Sequence, residues 1–226
     1  MRLSHSTLEY PISFEDGIIN VLVVENPRQM SKYISDLKLQ IDGFEGGFVL
    51  SEADRPVTMS ETVDLVLDPF SLNPNSREVI NTAYGLLSNK SKDEAHYIET
   101  NAMLAGIESY VIDLLAEQDD ILKVTEEINI SNIFKSLGAK FIISGESLLE
   151  SICDYLAVVT KYSKIKLFIF VNIKSYLNSE DLSTLYNYIS YQKQKVFFIE
   201  RCDSYPLERE RITIVDEDLC EIHKCR

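Results

Sequence analysis

The sequence has few residues that interrupt regular structure, with only 8 Gly and 6 Pro among 226 residues. Disordered chains stay unfolded because they contain few hydrophobic residues, and this sequence does not have that shortage. Hydrophobic residues make up 45% of the chain, and Ile, Leu, Val, Phe and Tyr recur along its whole length. A chain of this length and composition can bury a core. We therefore expect a folded protein with no linker segment.

Long hydrophobic runs are also missing. A membrane-spanning helix needs about 18 or more consecutive apolar residues, whereas no run here exceeds the length of one buried strand such as Leu167–Val171. The opening residues lack the apolar segment of a signal peptide. From these absences we expect a cytoplasmic protein that has no membrane partner.

The sequence offers little for metal or nucleophilic chemistry. The cysteines show no CxxC spacing, so we expect reduced thiols and no zinc site. They are Cys153, Cys202, Cys220 and Cys225. The histidines stand in no GxSxG or HExxH motif, and we interpret them as surface or capping residues. They are His5, His96 and His223. We assign no catalytic residue and expect no enzymatic activity.

The charge balance is strongly acidic, with 22 Lys+Arg against 36 Asp+Glu and a net charge of -14. Contacts to nucleic-acid phosphates need local positive charge, so the total argues against such a partner. A protein can nevertheless be acidic overall and still collect its lysines on one face. The net charge therefore does not exclude DNA.

Both ends of the chain show the pattern of a parallel α/β sheet. Residues 18 to 25 and 166 to 172 are rich in β-branched and other apolar residues, which is typical of strands that are buried on both faces. A helix is predicted after the first strand, with Asn26 as N-cap and Pro27 at the first helical position. The second strand, a helix over 179–191 and a strand over 195–200 form a right-handed crossover unit.

Between these ends the pattern is mainly helical, apart from a short predicted strand at 46–50. We therefore predict an α/β protein with a mainly parallel-sheet head, formed by residues 1–60 and 165–226, and a long inserted α-helical leg over 61–164. The order of elements resembles a degenerate nucleotide-hydrolase fold.

The nucleotide-binding apparatus of such a fold is missing. The junction after the first strand contains neither GxxxxGK[ST] nor GxGxxG, and Pro27 removes a backbone donor where phosphate would bind. The strand at 166–172 ends in Asn172, where an ATPase of this type carries a carboxylate that holds magnesium. The sequence thus argues against an active nucleotidase or kinase.

An acidic cluster follows the long helix of the middle segment. Its carboxylates are hard oxygen ligands of the kind that Ca²⁺ prefers. They are Glu117, Asp119, Asp120, Glu126 and Glu127. Their spacing does not fit an EF-hand loop, so on the residues alone a solvated acidic turn is the favoured interpretation.

Two groups of lysines are the candidate DNA contacts. Lys135 and Lys140 flank SLGA, and Lys161, Lys164 and Lys166 precede the second strand. Lysines of this kind suffice for sequence-independent contact with a DNA backbone, and a symmetric oligomer would multiply the patch into a positively charged ring. An ordinary solvated lysine face is the alternative interpretation.

Several motifs resemble the adaptation protein of subtype II-A CRISPR systems. That family shows an SLG-x-K segment, a K-K-x-L-[LF]-I-F-[VI]-N strand, a Leu-[TN]-x-[ED]-[DE] helix start, a Tyr-Ile-Ser helix end and a strand ending in Glu. The corresponding positions are Ser136–Lys140, Lys164–Asn172, Leu177–Asp181, Tyr188–Ser190 and Val196–Glu200. LVLDPFSLNPNSREVI and IVDEDL add to the likeness, which covers residues 131–219 and 60–88. In the first 55 residues only the order of strand and helix agrees.

The resemblance implies a head-and-leg protomer in a ring-like homotetramer that binds ends of linear double-stranded DNA during spacer acquisition, a step of adaptive antiviral defence. It also implies structural Ca²⁺, no catalysis, and as partners other CRISPR adaptation proteins and the effector nuclease. Lys135 and Lys140 match the family's positions around SLG. The acidic segment departs from the family, because it is longer and carries Lys123, Val124 and Thr125 where relatives carry more carboxylates.

A second function remains open. A degenerate nucleotide-hydrolase-like protein could act only as a protein-interaction adaptor, which would account for the net charge of -14 without any DNA partner. The salt dependence of binding to linear duplex separates the two functions, since counterion release weakens DNA binding steeply as salt rises.

Overall fold

The computed structural model of the protein describes residues 1–117, 124, 128–143, 145–202 and 207–225. The chain divides into two compact units. The head unit comprises Met1–Asn73 and Ile143–Arg226, and the leg unit is Pro74–Ile142. The leg is therefore an insertion between two segments of the head.

The first segment of the head contains six strands and two helices among its described residues. In chain order they are β1 (Arg2–His5), β2 (Ile12–Ser13), β3 (Ile19–Val24), α1 (Pro27–Ile41), β4 (Phe48–Glu52), β5 (Arg55–Pro56), α2 (Met59–Thr62) and β6 (Val63–Val66).

The leg and the second segment of the head follow. The described part of the leg contains α3 (Arg77–Lys90), α4 (Tyr97–Ala116) and α5 (Ile130–Ser136). The head then continues with α6 (Leu148–Tyr162), β7 (Leu167–Val171), a 3₁₀ helix (Ile173–Ser175), α7 (Ser179–Tyr191), β8 (Lys195–Glu200), β9 (Glu210–Val215) and β10 (Glu221–Cys225).

A six-stranded sheet in the order β10-β9-β3-β8-β7-β6 is the centre of the head. All neighbouring pairs from β9 to β6 are parallel, and only β10 is antiparallel. Every residue of β3 and β7 is buried, which is the expected result of covering both faces of a parallel sheet. The predicted α/β class and mainly parallel sheet are confirmed. The predicted likeness to a nucleotide hydrolase stays a prediction.

The two faces of this sheet pack against different layers. Alternate strand residues point to opposite faces, so Val21 packs in the cluster with α6 and α7, and Leu22 packs in the cluster with α1 and the small sheet. Continuous apolar strands therefore supply both halves of the core.

The small second sheet is antiparallel, with strand order β2-β1-β4-β5. Only its β4 strand was anticipated from the sequence, at 46–50 instead of Phe48–Glu52. A two-residue turn joins β4 to β5, and both of its residues, Ala53 and Asp54, have left-handed backbone angles, with φ of 48° and 60°. Such a turn matches the twist of a hairpin but is usually built with Asn or Gly.

Helix α1 begins as the sequence predicts. Asn26 has an extended backbone, and its side chain accepts hydrogen bonds from the backbone N–H groups of Arg28 and Gln29, while Pro27 occupies the first helical position. Met30, Tyr33 and Leu37 recur at spacings of three and four residues and are buried against the sheet.

Within the leg, α3 and α5 pack together, and the segment after α5 is held by side-chain hydrogen bonds. Asn75 donates to the Phe141 carbonyl at 2.9 Å and accepts from the Phe141 backbone N–H at 2.8 Å. The Tyr84 hydroxyl donates to the Ala139 carbonyl. The turn itself requires Gly138, which has a φ of 63°.

Helix α4 differs from the other long helices because none of its 20 residues is buried. Its exposed large apolar side chains are Tyr97, Ile98, Met103, Ile107, Tyr110, Val111, Ile112 and Leu114. Three of them are consecutive, so they lie on several sides of the helix. Neither α4 nor any other helix in the described part of the chain combines the length and apolar character needed to cross a membrane.

The boundaries of the two units lie after Asn73 and before Ile143, whereas the sequence pattern placed them at 60/61 and 164/165. Two elements account for the difference. Strand β6 pairs with β7 in the head sheet, and Ile152, Leu156 and Val159 of α6 belong to the head core. Hydrophobic periodicity marks α6 as a helix but does not show which unit it packs against.

Candidate nucleic-acid interface

Three of the predicted DNA-facing lysines lie together in the head, before β7. Lys161 is in the last turn of α6, with its Nζ 5.0 Å from the centre of the Tyr162 ring. Lys164 is exposed in the connection to β7. The Lys166 Nζ donates to Glu52 Oε2 at 2.6 Å. All three side chains therefore lie at the end of the sheet where the parallel strands begin.

The topology adds two lysines that the sequence analysis missed. Strand β8 begins at Lys195, which is directly opposite Leu167 of β7, and Lys193 precedes it in a left-handed conformation with φ of 53°. In the sequence these two lysines are notable only because they stand at the start of an apolar strand. Because β8 pairs in parallel with β7, they lie at the same end of the sheet as the lysines before β7. We refer to the resulting set as the basic edge: Lys161, Lys164, Lys166, Lys193 and Lys195.

The opposite end of the same sheet carries carboxylates. They follow β3, β6 and β9 and are exposed or partly exposed. We refer to this set as the acidic edge: Glu25, Asp68, Asp216, Glu217 and Asp218. Charges of the opposite sign also lie at both ends of the sheet: Glu15, Asp16, Glu61 and Glu208 precede β3, β6 and β9, and Arg201 follows β8. The basic edge is therefore a local group of lysines before β7 and β8, and the net charge of -14 does not exclude such a local group.

The other two predicted lysines lie in the leg. Lys135 is in the last turn of α5, and Lys140 follows the Gly138 turn; both residues are exposed. The hydrogen bonds from Asn75 and Tyr84 hold the backbone on either side of Lys140. The leg thus presents these two positive charges from an ordered segment.

The predicted calcium ligands fall mostly outside the described residues. Asp119, Asp120, Glu126 and Glu127 lie outside them, and Glu117 is the exposed C-cap residue that follows α4. Within the described ranges, no three His, Cys, Asp or Glu side chains are grouped so that they could hold a metal ion. A calcium site in this segment remains a prediction.

The start of α1, where the predicted nucleotide-hydrolase-like fold would bind phosphate, is capped by a side chain of the protein itself. The Asn26 Oδ1 accepts from the backbone N–H of Arg28 at 3.0 Å and of Gln29 at 3.2 Å. The amide groups that could face a phosphate at the start of α1 are therefore already hydrogen-bonded within the chain.

One histidine is buried in a hydrogen-bonded chain, so the interpretation of all three as surface or capping residues is wrong for His5. His5 is only 5% exposed. Its Nδ1 accepts from the Thr7 backbone N–H at 3.2 Å, which places the ring proton on Nε2, 3.5 Å from Asp36 Oδ2. The Thr7 hydroxyl lies 2.8 Å from both His5 Nδ1 and the Tyr33 hydroxyl. The chain of contacts links β1 to α1.

Acidification is expected to destabilise the head through His5. Burial lowers the pKa of His5 below its ordinary value of 6.5, although Asp36 opposes this shift. The unfolded chain then binds a proton at higher pH than the folded chain does. The contribution of neutral His5 to the stability of the fold is therefore full above about pH 6.5, and it is lost as the pH falls towards the pKa of His5 in the folded protein. Urea unfolding of wild type and His5→Gln at about pH 7.5 and about pH 5.5 measures this loss, which the variant should lack.

Glu200 changes the stability of the head with pH in the opposite direction to His5, over an overlapping pH range. Burial raises the pKa of Glu200 to about 7. A raised carboxyl pKa stabilises the fold at low pH, and this stabilisation is lost as the pH rises towards about 7. The test therefore compares the pH dependence of the free energy of unfolding between wild type and His5→Gln, because Glu200 is present in both proteins. An equal pH dependence in the two proteins would contradict the role of His5.

A second buried polar cluster surrounds Lys174 in the 3₁₀ helix after β7. The Lys174 Nζ is 2.7 Å from Glu210 Oε1, and the two side chains are 1% and 0% exposed. The Tyr186 hydroxyl donates to the same oxygen, and the Glu200 carboxylate accepts from the Lys174 backbone N–H at 3.1 Å. The cluster joins the 3₁₀ helix, α7, β8 and β9 inside the head.

Comparison with known proteins identifies the class to which this chain belongs. A protein-family model described as CRISPR-associated protein (Cas_Csn2) matches residues 40–219. A CRISPR-associated protein Csn2 of Enterococcus faecalis is 27% identical over 203 residues, which cover 89% of this chain and 90% of the relative. Another, from Streptococcus agalactiae, is 23% identical over 216 residues, which cover 93% of this chain and 95% of the relative.

The matches place the chain among the CRISPR-associated proteins. Because the family model covers well over half of the sequence, the chain belongs to the Csn2 family of that class. The family resemblance predicted from the SLG and KLFIFVN segments is confirmed.

Proposed function

We propose that the protein binds the ends of linear double-stranded DNA, as a ring-shaped homotetramer and without catalysing a reaction, while new spacers are acquired in CRISPR-based antiviral defence. The observation that carries the proposal is the basic edge, where five lysines precede or begin the adjacent parallel strands β7 and β8 in a chain of net charge -14. Contacts from lysine to phosphate provide affinity without reading sequence, as a protein that accepts any DNA end requires.

Lys135 and Lys140 provide the second group of phosphate contacts in this proposal. Both are exposed, and the hydrogen bonds of Asn75 and Tyr84 fix the backbone that carries Lys140. A fixed backbone reduces the entropy that is lost when a flexible lysine is ordered against DNA.

Assembly of the ring is supported by α4. A large exposed apolar surface on a soluble domain usually marks an interaction site, and α4 presents apolar side chains on several sides with none of its residues buried. We assign a second copy of the chain to this surface, and a closed symmetric assembly would repeat the basic edge around a ring. We further propose that Ca²⁺, held by Glu117 and the carboxylates of residues 119, 120, 126 and 127, stabilises the assembly.

A non-enzymatic role is supported by the start of α1. The Asn26 side chain caps the amide groups that a nucleotide hydrolase would direct at phosphate. In this proposal the head is a degenerate nucleotide-hydrolase fold that serves as a scaffold in the cytoplasm. It would present DNA to other CRISPR adaptation proteins and to the effector nuclease.

The double variant Lys135→Glu with Lys140→Glu tests DNA binding. We expect it to bind a short linear duplex at least about tenfold more weakly than wild type at low salt. We also expect the slope of log affinity against log salt to fall by about two for each protomer whose lysines contact the duplex. Fluorescence anisotropy at several salt concentrations measures both quantities. Light scattering should show an unchanged oligomer.

The matched control is Lys90→Glu with Lys92→Glu, which changes the same charge on other exposed residues of the leg. This control should bind more tightly than the test variant. Wild-type affinity in the test variant would contradict the assignment of Lys135 and Lys140. A wild-type protein that binds neither linear nor covalently closed duplex at low salt would contradict the proposed function, and equal binding of both forms would contradict recognition of ends.

A protein-interaction adaptor is the second candidate function, and one observation favours it. Phe70 and Tyr176 are 67% and 51% exposed and form an edge-to-face pair with ring centres 5.1 Å apart. They follow β6 and β7, at the end of the sheet that carries the acidic edge. Exposed aromatic residues are typical of the centres of protein interfaces. Complete absence of DNA binding would favour this candidate.

A further inference from the structure

Glu52 is a carboxylate that the fold places against the basic edge. It is the last residue of β4, directly before the two left-handed residues Ala53 and Asp54. A left-handed conformation costs a residue other than glycine about 1–2 kcal/mol. Glu52 lies at this hairpin turn, at the end of β4.

The contact between Glu52 and the basic edge is short and joins distant parts of the sequence. The Lys166 Nζ lies 2.6 Å from Glu52 Oε2 across a separation of 114 residues. The Lys166 backbone N–H also donates to the Thr62 carbonyl at 2.8 Å, which fixes the start of β7. The pair thus joins the small sheet to the large one through two ordered strand ends.

Lys195 belongs to the same electrostatic environment. The hydrogen bond from Lys166 is the main cause that lowers the pKa of Glu52, and the charges of Lys166 and Lys195 add to it. Lys195 lies opposite Leu167, the first residue of β7, so it begins the strand next to the one that follows Lys166. Glu52 therefore contacts Lys166 directly, and Lys195 adds to the positive charge around this carboxylate.

We infer that Glu52 is an internal counter-anion of the basic edge, which a DNA phosphate displaces from Lys166. The inference rests on the proposed function. The side chains of Lys166 and Glu52 are 50% and 40% exposed, and an exposed ion pair of this kind contributes little to stability. Displacing Glu52 from Lys166 therefore costs little free energy. While Glu52 is paired with Lys166, however, its negative charge competes with phosphate for that lysine.

Glu52→Gln tests this inference, because it keeps the size of the side chain and removes its charge. We expect the variant to bind a short linear duplex about three- to tenfold more tightly than wild type at low salt, with a smaller gain at high salt, where charges are screened. The gain should disappear when Lys166→Gln is added. Fluorescence anisotropy measures all three proteins.

Glu217→Gln is the matched control, since it makes the same change in net charge at the acidic edge, where Glu217 is exposed. Its affinity should stay at the wild-type value. If wild type binds the duplex and Glu52→Gln binds equally or more weakly, the inference is overturned and the proposed function stands. If wild type does not bind linear duplex at low salt, the proposed function itself is overturned.

Discussion

Replacing Lys174 with methionine is expected to destabilise the head by about 3–5 kcal/mol, the cost of leaving one partner of a buried ion pair without the other. The Glu210 carboxylate would lose the ammonium group 2.7 Å from its Oε1, in a site where its side chain is 0% exposed. The Tyr186 hydroxyl would remain as a donor to that oxygen, but one neutral donor does not replace a positive charge. The free energy of unfolding from urea titration measures the effect.

Two further variants separate this effect from a general intolerance of substitution. Lys166→Met removes a lysine from an ion pair that is half exposed, and its cost should stay below about 1 kcal/mol. Lys174→Met combined with Glu210→Met removes both charges and should recover much of the lost stability, since apolar residues often replace a buried pair without loss. The assignment fails if the Lys174→Met and Lys166→Met proteins have equal stability.

The strands and helices that could be predicted are those with a strong local signal. Strands β3, β7 and β8 are mostly apolar because both faces of the sheet are covered, and α1 begins at a side chain suited to capping. The small sheet gave no comparable signal. Its strands β2 and β5 have two residues each, and their pairing depends on contacts between distant parts of the chain.

The candidate site was predicted only where its residues are neighbours in the sequence. Lys161, Lys164 and Lys166 form a visible cluster, whereas Lys195 joins them through parallel pairing of β7 with β8. The contact with Glu52 could not be foreseen, because it depends on the β4–β5 turn and on how the two sheets pack.

His5 was misinterpreted for a related reason. A histidine near the start of a chain has no periodic signal of burial, and its surroundings come from elements that follow later. Its Nε2 lies so close to Gly47 that a Cβ there would be 2.2 Å away. Gly47 in the sequence GGFVL therefore leaves room for the His5 ring. The sequence does not show this contact, because the two residues come together only in the folded structure.

Adding negative charge to the exposed apolar surface of α4 is expected to break the proposed tetramer. Ile98 and Ile112 are 80% and 49% exposed and lie within about 40° of each other around the helix, at about 100° per residue. Glutamate at both positions would place charges in an apolar interface, where burial of an unpaired charge costs several kcal/mol. Light scattering with Ca²⁺ present should show a mass well below four chains, whereas wild type should reach this lower mass only with a chelator.

The control variant adds two glutamates to exposed apolar positions of the head, at Tyr191 and Leu219, which are 84% and 53% exposed. This control should keep the wild-type mass.

Circular dichroism should show that the α4 variant retains its helices, because neither isoleucine is buried within the chain. A tetramer that persists in the α4 variant would show that α4 is not the interface, and a wild-type mass unaffected by exhaustive chelation would remove calcium from the assembly. Loss of the tetramer in the α4 variant alone would place the contact between copies on the leg, because adding the same two charges to the head would then have left the assembly intact.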